Sequence, residues 1–323
     1  MSKHDLCCIG HITHDKVVTP KSTVHMPGGT SFYVSHAIRH LGNIDYALVT
    51  AIAEADMDAV TDLTDSSMNV TVQSDTLCGG GQYSANHSIN INVTVLPSAC
   101  SVYFENIYDE NQDNRRQRVL SKADPFTVGQ LRGVEARIFH LGALLADDFS
   151  PDVVRYLSEK GLVSIDSQGY LREVQDTKVY AVDWKEKEKV LQYVHFLKAN
   201  EHEMKVLTGY SDVSSAARTL YGWGVKEVLI TLGSMGSVLY DGTAFYRIPA
   251  FKPREIVDAT GCGDTYMAGY LYQRAKGVDM NGAGHFAAAL STLKIERSGP
   301  ARATVEDVIR CRDTAEKIEG PIP

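Results

Sequence analysis

Several large protein classes are excluded by what this chain lacks. No apolar run approaches the ~20 residues needed to cross a bilayer, so no membrane span is expected. Basic charge is not in excess: a formal net charge of −8 argues against general binding to nucleic acid or to a membrane surface. The six cysteines, at 7, 8, 78, 100, 262 and 311, make no C-x-x-C pair and no disulfide framework, so they read as reduced thiols of a cytosolic protein. Cys7 and Cys8 read as strand filling. The histidines form no H-E-x-x-H; His11 and His14 are three apart, but no thiol or carboxylate set completes a metal site in sequence. Met1-Ser2-Lys3-His4-Asp5 has no signal-peptide character, and a cytoplasmic location is expected. No G-x-x-x-x-G-K-[ST] and no H-R-D or D-F-G is present, which removes P-loop enzymes and protein kinases. No repeat, low-complexity tract or linker divides the 323 residues, which suit one large α/β domain with a β lid.

The strongest feature present is Val257–Tyr270, where a Gly-x-Gly turn opens directly into an apolar helix. Gly261 and Gly263 lack a Cβ, so the backbone can turn tightly and aim several N–H groups at one point. The helix N-terminus adds unpaired donors and partial positive charge, a setting for a phosphate. Asp264 would oppose that anion unless a proton must be removed there, as when a hydroxyl attacks a phosphoryl group. The helix terminus is expected to lower its pKa and keep it ionised at neutral pH. Taken alone, the loop is equally consistent with an ordinary helix start. A dinucleotide fingerprint fails, because its third glycine would fall at Tyr266.

Elsewhere the pattern alternates. Leu6–Ile9, Ala47–Ala51, Arg137–Leu141, Val163–Asp166, Phe196–Ala199 and Glu227–Leu232 read as buried strands. Helices are expected over Thr30–Leu41, Pro151–Glu159, Lys185–Tyr193, Glu201–Leu207, Ser214–Tyr221, Gly263–Ala275, Gly282–Lys294 and Thr304–Lys317. This alternation predicts a parallel sheet covered on both faces, with ligands beyond the carboxyl ends of its strands. From about Ser88, Ile89, Ile91, Val93 and Val95 alternate with Asn90, Asn92 and Thr94, which predicts a half-exposed antiparallel strand. Ser101–Ile107 is expected to pair with it, and these segments with Asp15–Val18 and Thr23–Met26 would form the lid, drawn from about 12–27 and 82–120.

Four features in order make the chain resemble the ribokinase-like, PfkB-type family of carbohydrate and nucleoside kinases. D-x-T-G-x-G-D falls at Asp258–Asp264, N-x-x-E at Asn200 and Glu203, T-L-G-x-x-G at Thr231–Gly236, and Gly28-Gly29 precedes the first helix with Asp15 upstream. The resemblance implies a three-layer α/β/α fold with a central, mostly parallel sheet and a small β-sheet lid. It implies ATP and Mg²⁺ as cofactors and transfer of the γ-phosphate to a hydroxyl of a sugar, a cyclic polyol or a nucleoside. Asp264 would be the base, and Gly261, Cys262 and Gly263 the backbone anion hole. Asp258, Thr260, Thr231, Gly233 and Gly236 would serve the nucleotide; Asn200 and Glu203 would hold Mg²⁺ through water; Asp15, Gly28 and Gly29 would grip the acceptor. Asn200 and Glu203 equally fit a helix capping box, and the Gly233–Gly236 turn a plain hairpin. A monovalent cation such as K⁺ is a further family feature, near Asp258 and the Arg297–Gly299 turn. Tyr33 stands where many sugar kinases carry asparagine, and the surrounding segment is more similar to the inositol-kinase-like branch, as are 115–120 and 166–172. For a nucleoside, Tyr103, Phe104 or Tyr108 would offer a stacking surface, and Arg116 or Arg118 either touches substrate or is a solvated lid charge. Open lid edges would allow a homodimer.

Overall fold

Alternate residues of the first strand serve two different cores, and the rest of the molecule follows from that arrangement. Leu6 and Cys8 pack into one buried cluster while Cys7 and Ile9 pack into another, so both sheet faces are covered. The computed structural model describes residues 3–20, 22–61, 69–72, 91–108 and 115–318. The first part of the chain forms β1 (His4–Gly10), β2 (Thr13–Val18), β3 (Thr23–Gly28), α1 (Thr30–Leu41), β4 (Tyr46–Ile52), α2 (Asp58–Thr61), β5 (Asn69–Val72) and β6 (Ile91–Pro97). Next come β7 (Val102–Tyr108), β8 (Arg115–Ser121), β9 (Ala136–Gly142), α3 (Pro151–Ser158), β10 (Leu162–Asp166), β11 (Arg172–Gln175) and β12 (Lys178–Ala181). Then follow α4 (Lys187–Leu191), β13 (Phe196–Asn200), α5 (Glu201–Thr208), α6 (Val213–Gly222), β14 (Glu227–Thr231), β15 (Ser237–Tyr240) and β16 (Phe245–Ile248). The last helices are α7 (Cys262–Ala275), α8 (Met280–Ile295) and α9 (Val305–Thr314).

The large sheet runs β16-β15-β14-β13-β10-β9-β1-β4-β6-β5, parallel from β14 to β5 and antiparallel only at the β15–β16 end. Helices α1, α7, α8 and α9 cover one face, and α3 to α6 the other. This is the three-layer α/β/α architecture that the resemblance implies. Parallel register brings the strand ends together at one edge: Gly10 pairs with Gly142, Asp166 with Lys198, and Asn200 with Thr231. No helix among the described residues is long and apolar enough to cross a membrane.

A second sheet, β11-β12-β8-β7-β2-β3, is antiparallel except where β2 meets β7. Its inner face buries Val102, Phe104 and Val119 against Leu144 and Leu145. Two expectations change here. Residues 91–97 run parallel beside β4 in the large sheet and not in the lid, and β7 pairs with β2 and β8. Val93 and Val95 face a core while Asn92 and Thr94 are only half-buried, so the period of two records one uncovered face near a sheet edge, which a parallel strand also shows there. The third strand pair of the lid comes instead from 172–181, a stretch without a strand expectation. Cys78 and the 82–90 part of the expected lid lie outside the described residues. The last helix stops at Thr314, and Lys317–Ile318 pairs with Ala250–Phe251.

Candidate active site

The turn before α7 is built as its glycines require. Gly261 caps the helix at φ +74, a left-handed conformation that L side chains adopt at a cost. The ring of Tyr33 lies directly against it: a Cβ on Gly261 would stand 2.3 Å from Tyr33 Cδ1. Asp258 folds the entry, accepting from the Thr260 N–H at 2.9 Å and from the Lys294 ammonium at 3.1 Å. Burial opposes the charge of Asp258, but those partners hold its carboxyl below the usual range. Burial pushes the Cys262 thiol up to about 11, so the side chain is a small inert filler at pH 7, and its backbone N–H donates to the Ala259 carbonyl at 3.2 Å.

Four charged side chains, Lys198 of β13, Asp166 of β10, Glu203 of α5 and Asp264 of α7, converge beside this corner. Lys198 on β13 donates to Asp166 Oδ2 at 2.7 Å, and both are almost fully buried. Its ammonium also reaches the open face of the loop: a Cβ on Gly263 would come within 3.0 Å of Lys198 Nζ. Burial disfavours the charge on Lys198, but Asp166, Glu203 and Asp264 outweigh it, and its pKa is raised. Asp264 in the first turn of α7 responds in the opposite sense to the helix-terminus expectation. Burial first, and the Asp166 carboxylate second, push its pKa up to about 6, against the opposing pull of Lys198, the Thr30 hydroxyl and Arg172. Desolvation and a like charge therefore exceed the helix dipole at this position. A carboxyl of this value is mostly ionised at neutral pH and more basic than an ordinary aspartate.

Asp15 meets the glycine pair across the β2–β3 hairpin. A Cβ on Gly28 would fall 2.6 Å from Asp15 Oδ2, and Gly29 caps α1 at φ +87 with its α-carbon against the His11 carbonyl. Thr13 steadies the carboxylate through its hydroxyl at 2.6 Å. Burial raises the pKa of Tyr33, and so do Asp258, Asp15 and Asp264; one phenol thus senses carboxylates from 258, 15 and 264, far apart in sequence.

Asn200 and Glu203 form the capping box of α5: the Asn200 side chain accepts from Glu203 N–H, and Glu203 Oε2 accepts from Asn200 N–H, both at 2.8 Å. Ser167 also donates to Glu203 Oε2 at 3.2 Å, and burial raises the pKa of Glu203. Among the described residues no three acidic, histidine or cysteine side chains gather into a metal cage. The oxygens of Asn200 and Glu203 are of the hard kind that Mg²⁺ takes through water, and each already accepts a hydrogen bond within the cap or from Ser167, so only a hydrated ion would meet them. Thr231 ends β14, and Gly233 and Gly236, at φ +57 and +86, carry the hairpin into β15. Gly236 sits so close to the Ile248 carbonyl that no side chain fits. Two clefts border α5. One of ≈520 Å³ runs between the lid and β13–α5, lined by Gln117, Gln168, Arg172, Asn200 and Glu203. The other, of ≈450 Å³, lies between α5 and the Leu232–Met235 turn. Asp264 lines neither, but Arg172, which lines the first, acts electrostatically on its carboxyl.

Lys198, Asp166, Thr30 and Arg172 were missed by motif reading. Asp166 and Arg172 belong to the 166–172 stretch noted above, and Lys198 precedes Asn200 by two in a buried strand, where a charged residue is itself a signal. Of the expected lid contacts, Arg118 bonds Glu105 and Thr177 and is a lid charge. Phe104 is buried in the lid core, and Tyr103 packs edge-on with His14 and shares a hydrogen bond with His25 on the opposite face from Asp15. The side chain of Tyr108 lies outside the described residues.

Residues 136–307 match the model of the pfkB family of carbohydrate kinases, and the chain belongs to that family. It is 28% identical over 280 residues to the cytidine kinase of Thermococcus kodakarensis, covering 84% of this chain and 89% of that one. Among solved structures it is similar to a pyrophosphate-dependent kinase in the ribokinase family complexed with a pyrophosphate analog and myo-inositol, at a TM-score of 0.76 and 27% identity over 94% of this chain and 99% of that one. The ribokinase of Arabidopsis thaliana, complexed with ribose and ATP, shares the fold at a TM-score of 0.71 and 18% identity, covering 96% of this chain and 99% of that one.

Proposed function

We propose that this kinase transfers the γ-phosphate of ATP to a hydroxyl of a cyclic polyol or sugar, with Asp264 as the base. The observation that carries the reading is the meeting of a raised carboxyl, the Gly261–Gly263 corner and the Lys198 ammonium at one helix start. Phosphoryl transfer passes through a loose transition state, so positioning and charge neutralisation dominate. The acceptor lies between Asp15, Gly28 and Gly29 on one side and Asp264 on the other. Asp264 takes the proton of the attacking hydroxyl, while the Lys198 ammonium and the N–H groups of the 261–263 turn receive the phosphoryl oxygens, Cys262 by sharing the N–H it gives to the Ala259 carbonyl. Asp258 and Thr260 shape the loop, and Thr231, Gly233 and Gly236 border the nucleotide. Asn200 and Glu203 would hold Mg²⁺ through water, and the ion would supply charge neutralisation on the donor phosphates.

A polyol is preferred to a nucleoside because, among the described residues, Phe104 is consumed by the lid core and Tyr103 pairs with His14 and His25, so neither offers a stacking surface on the acceptor side. The nucleoside reading draws its support from the cytidine kinase relative. The test is a screen of myo-inositol, other cyclitols, free sugars and nucleosides, with ATP and pyrophosphate as donors, beside Asp264→Asn. Turnover of a cyclitol or sugar that Asp264→Asn abolishes is expected. Turnover of nucleosides alone would replace the acceptor class, and full activity of Asp264→Asn would remove the base. A lid homodimer and a cytoplasmic location complete the proposal; the first is supported by β3, an edge strand that exposes Thr23, Val24 and His25, and is checked by sedimentation. The second is supported by the free Cys7, Cys8, Cys100, Cys262 and Cys311.

A further inference from the structure

The entry to the phosphate corner is held by a cation that belongs to the chain. The carbonyl and Oδ2 of Asp258 converge on one point, and the Lys294 ammonium occupies it, at 2.8 and 3.1 Å. Lys294 lies in the last turn of α8 with its side chain fully buried, so its charge has left water and is met by the oxygens of Asp258. The backbone around it is already satisfied. The Ile295 carbonyl accepts from the N–H groups of Val257 and Asp258, and the Lys294 carbonyl accepts from Arg297 N–H. One turn earlier, Ser291 donates to the Cys262 carbonyl at 3.1 Å, so the end of α8 grips the loop at both of its ends.

A carboxylate and a carbonyl converging on one buried point is what a free monovalent cation would require, at the place beside Asp258 and the Arg297–Gly299 turn where the family resemblance expects one. The residues present do not fit a separate ion. Its oxygens are engaged by an ammonium, and a second positive charge within a few ångströms in a buried setting would be repelled. We infer that Lys294 acts as a tethered monovalent cation, a positioning residue that fixes the Asp258–Asp264 loop for the donor phosphates and makes the protein independent of K⁺. The inference rests on the reading of that loop as the donor site.

The test uses the full chain in choline, sodium, ammonium and potassium chlorides at equal ionic strength. Melting temperature and the affinity for a non-hydrolysable ATP analogue and for pyrophosphate are measured by calorimetry. Wild-type affinity is expected to agree within about twofold across all four salts. Lys294→Ala, which opens room, is expected to lose about tenfold or more in choline and to regain most of it with potassium or ammonium but not with sodium. Lys294→Met, which fills the room without charge, is expected to lose as much and regain nothing. A tenfold gain of wild-type affinity on adding potassium would overturn the inference, as would Lys294→Ala binding normally in choline or a folded Lys294→Ala that no cation restores. The wild-type series decides even if both variants fail to fold. Turnover is not among the readouts, so an inactive protein counts against the kinase reading and leaves the salt series intact.

Discussion

Lys198 reaches across from β13 to lay its ammonium against the open face of Gly263, while its other side is bonded to Asp166. The lysine thus joins the strand ends to the helix start, and it is the positive charge that keeps two carboxylates tolerable beside each other. Asp264 titrates between these opposing influences. Several consequences can be measured.

Activity should depend on the ionised form of Asp264. With its pKa at about 6, kcat/KM should fall as pH drops through that value, about two pH units above where an ordinary aspartate would act. Asp264→Asn should lower kcat by about 10²–10⁴-fold and abolish that limb. A pH–rate profile of the two proteins provides the check.

The same shift makes Asp264 a cost to the fold. Its folded pKa lies above its ordinary value, so the favourable contribution of the protonated form is complete at low pH and is lost as pH rises through about 6. Asp264→Asn should therefore be more stable than the wild type at about pH 8, by on the order of 2–3 kcal/mol, with the gap roughly halved at about pH 5 and closing toward about pH 4. Denaturant melts at the two pH values decide it; a variant less stable at both would contradict the assigned shift.

Lys198→Met should expose the buried carboxylates to each other. Loss of one partner of the Lys198–Asp166 pair is expected to destabilise by about 3–5 kcal/mol. Because Lys198 lowers the pKa of Asp264, the acid limb of any residual activity should move above its wild-type position. An unchanged limb would mean that Lys198 does not influence Asp264.

Tyr33 should be felt through Gly261. Gly261→Ala forces a side chain into a left-handed backbone and into the Tyr33 ring, and should lower kcat/KM by about 100-fold or more. Tyr33→Ala should cost about 3–5 kcal/mol of stability through the cavity it leaves. The double variant should be less impaired than the sum by about 0.5–3 kcal/mol, since the second change removes the clash. Strict additivity in a full double-mutant cycle would argue against the contact.

The chain order of helices and parallel strands was legible because buried parallel strands are continuous apolar runs and helices carry a period of 3.6. The Asp258–Asp264, Asn200–Glu203 and Gly28-Gly29 positions were legible because glycine and capping chemistry is local. The 91–97 strand was misassigned for a reason that lies outside its own residues: the alternation reports which faces are covered, not which neighbour supplies the pairing. The pKa of Asp264 was misjudged in the same way, since the helix terminus is visible in sequence while neither the burial of the carboxyl nor its approach to Asp166, 98 positions upstream, is.

Sequence alone therefore determined the α/β class, the family motifs and the loops able to turn back on themselves, all of which rest on local backbone preferences and on periodicity. Tertiary structure alone decided that Lys198 faces Gly263, that Tyr33 underlies Gly261 and that Lys294 closes on Asp258. Those relationships are set by which strand ends and helix termini meet at one edge of the sheet, and burial there fixes the charges that the chemistry uses.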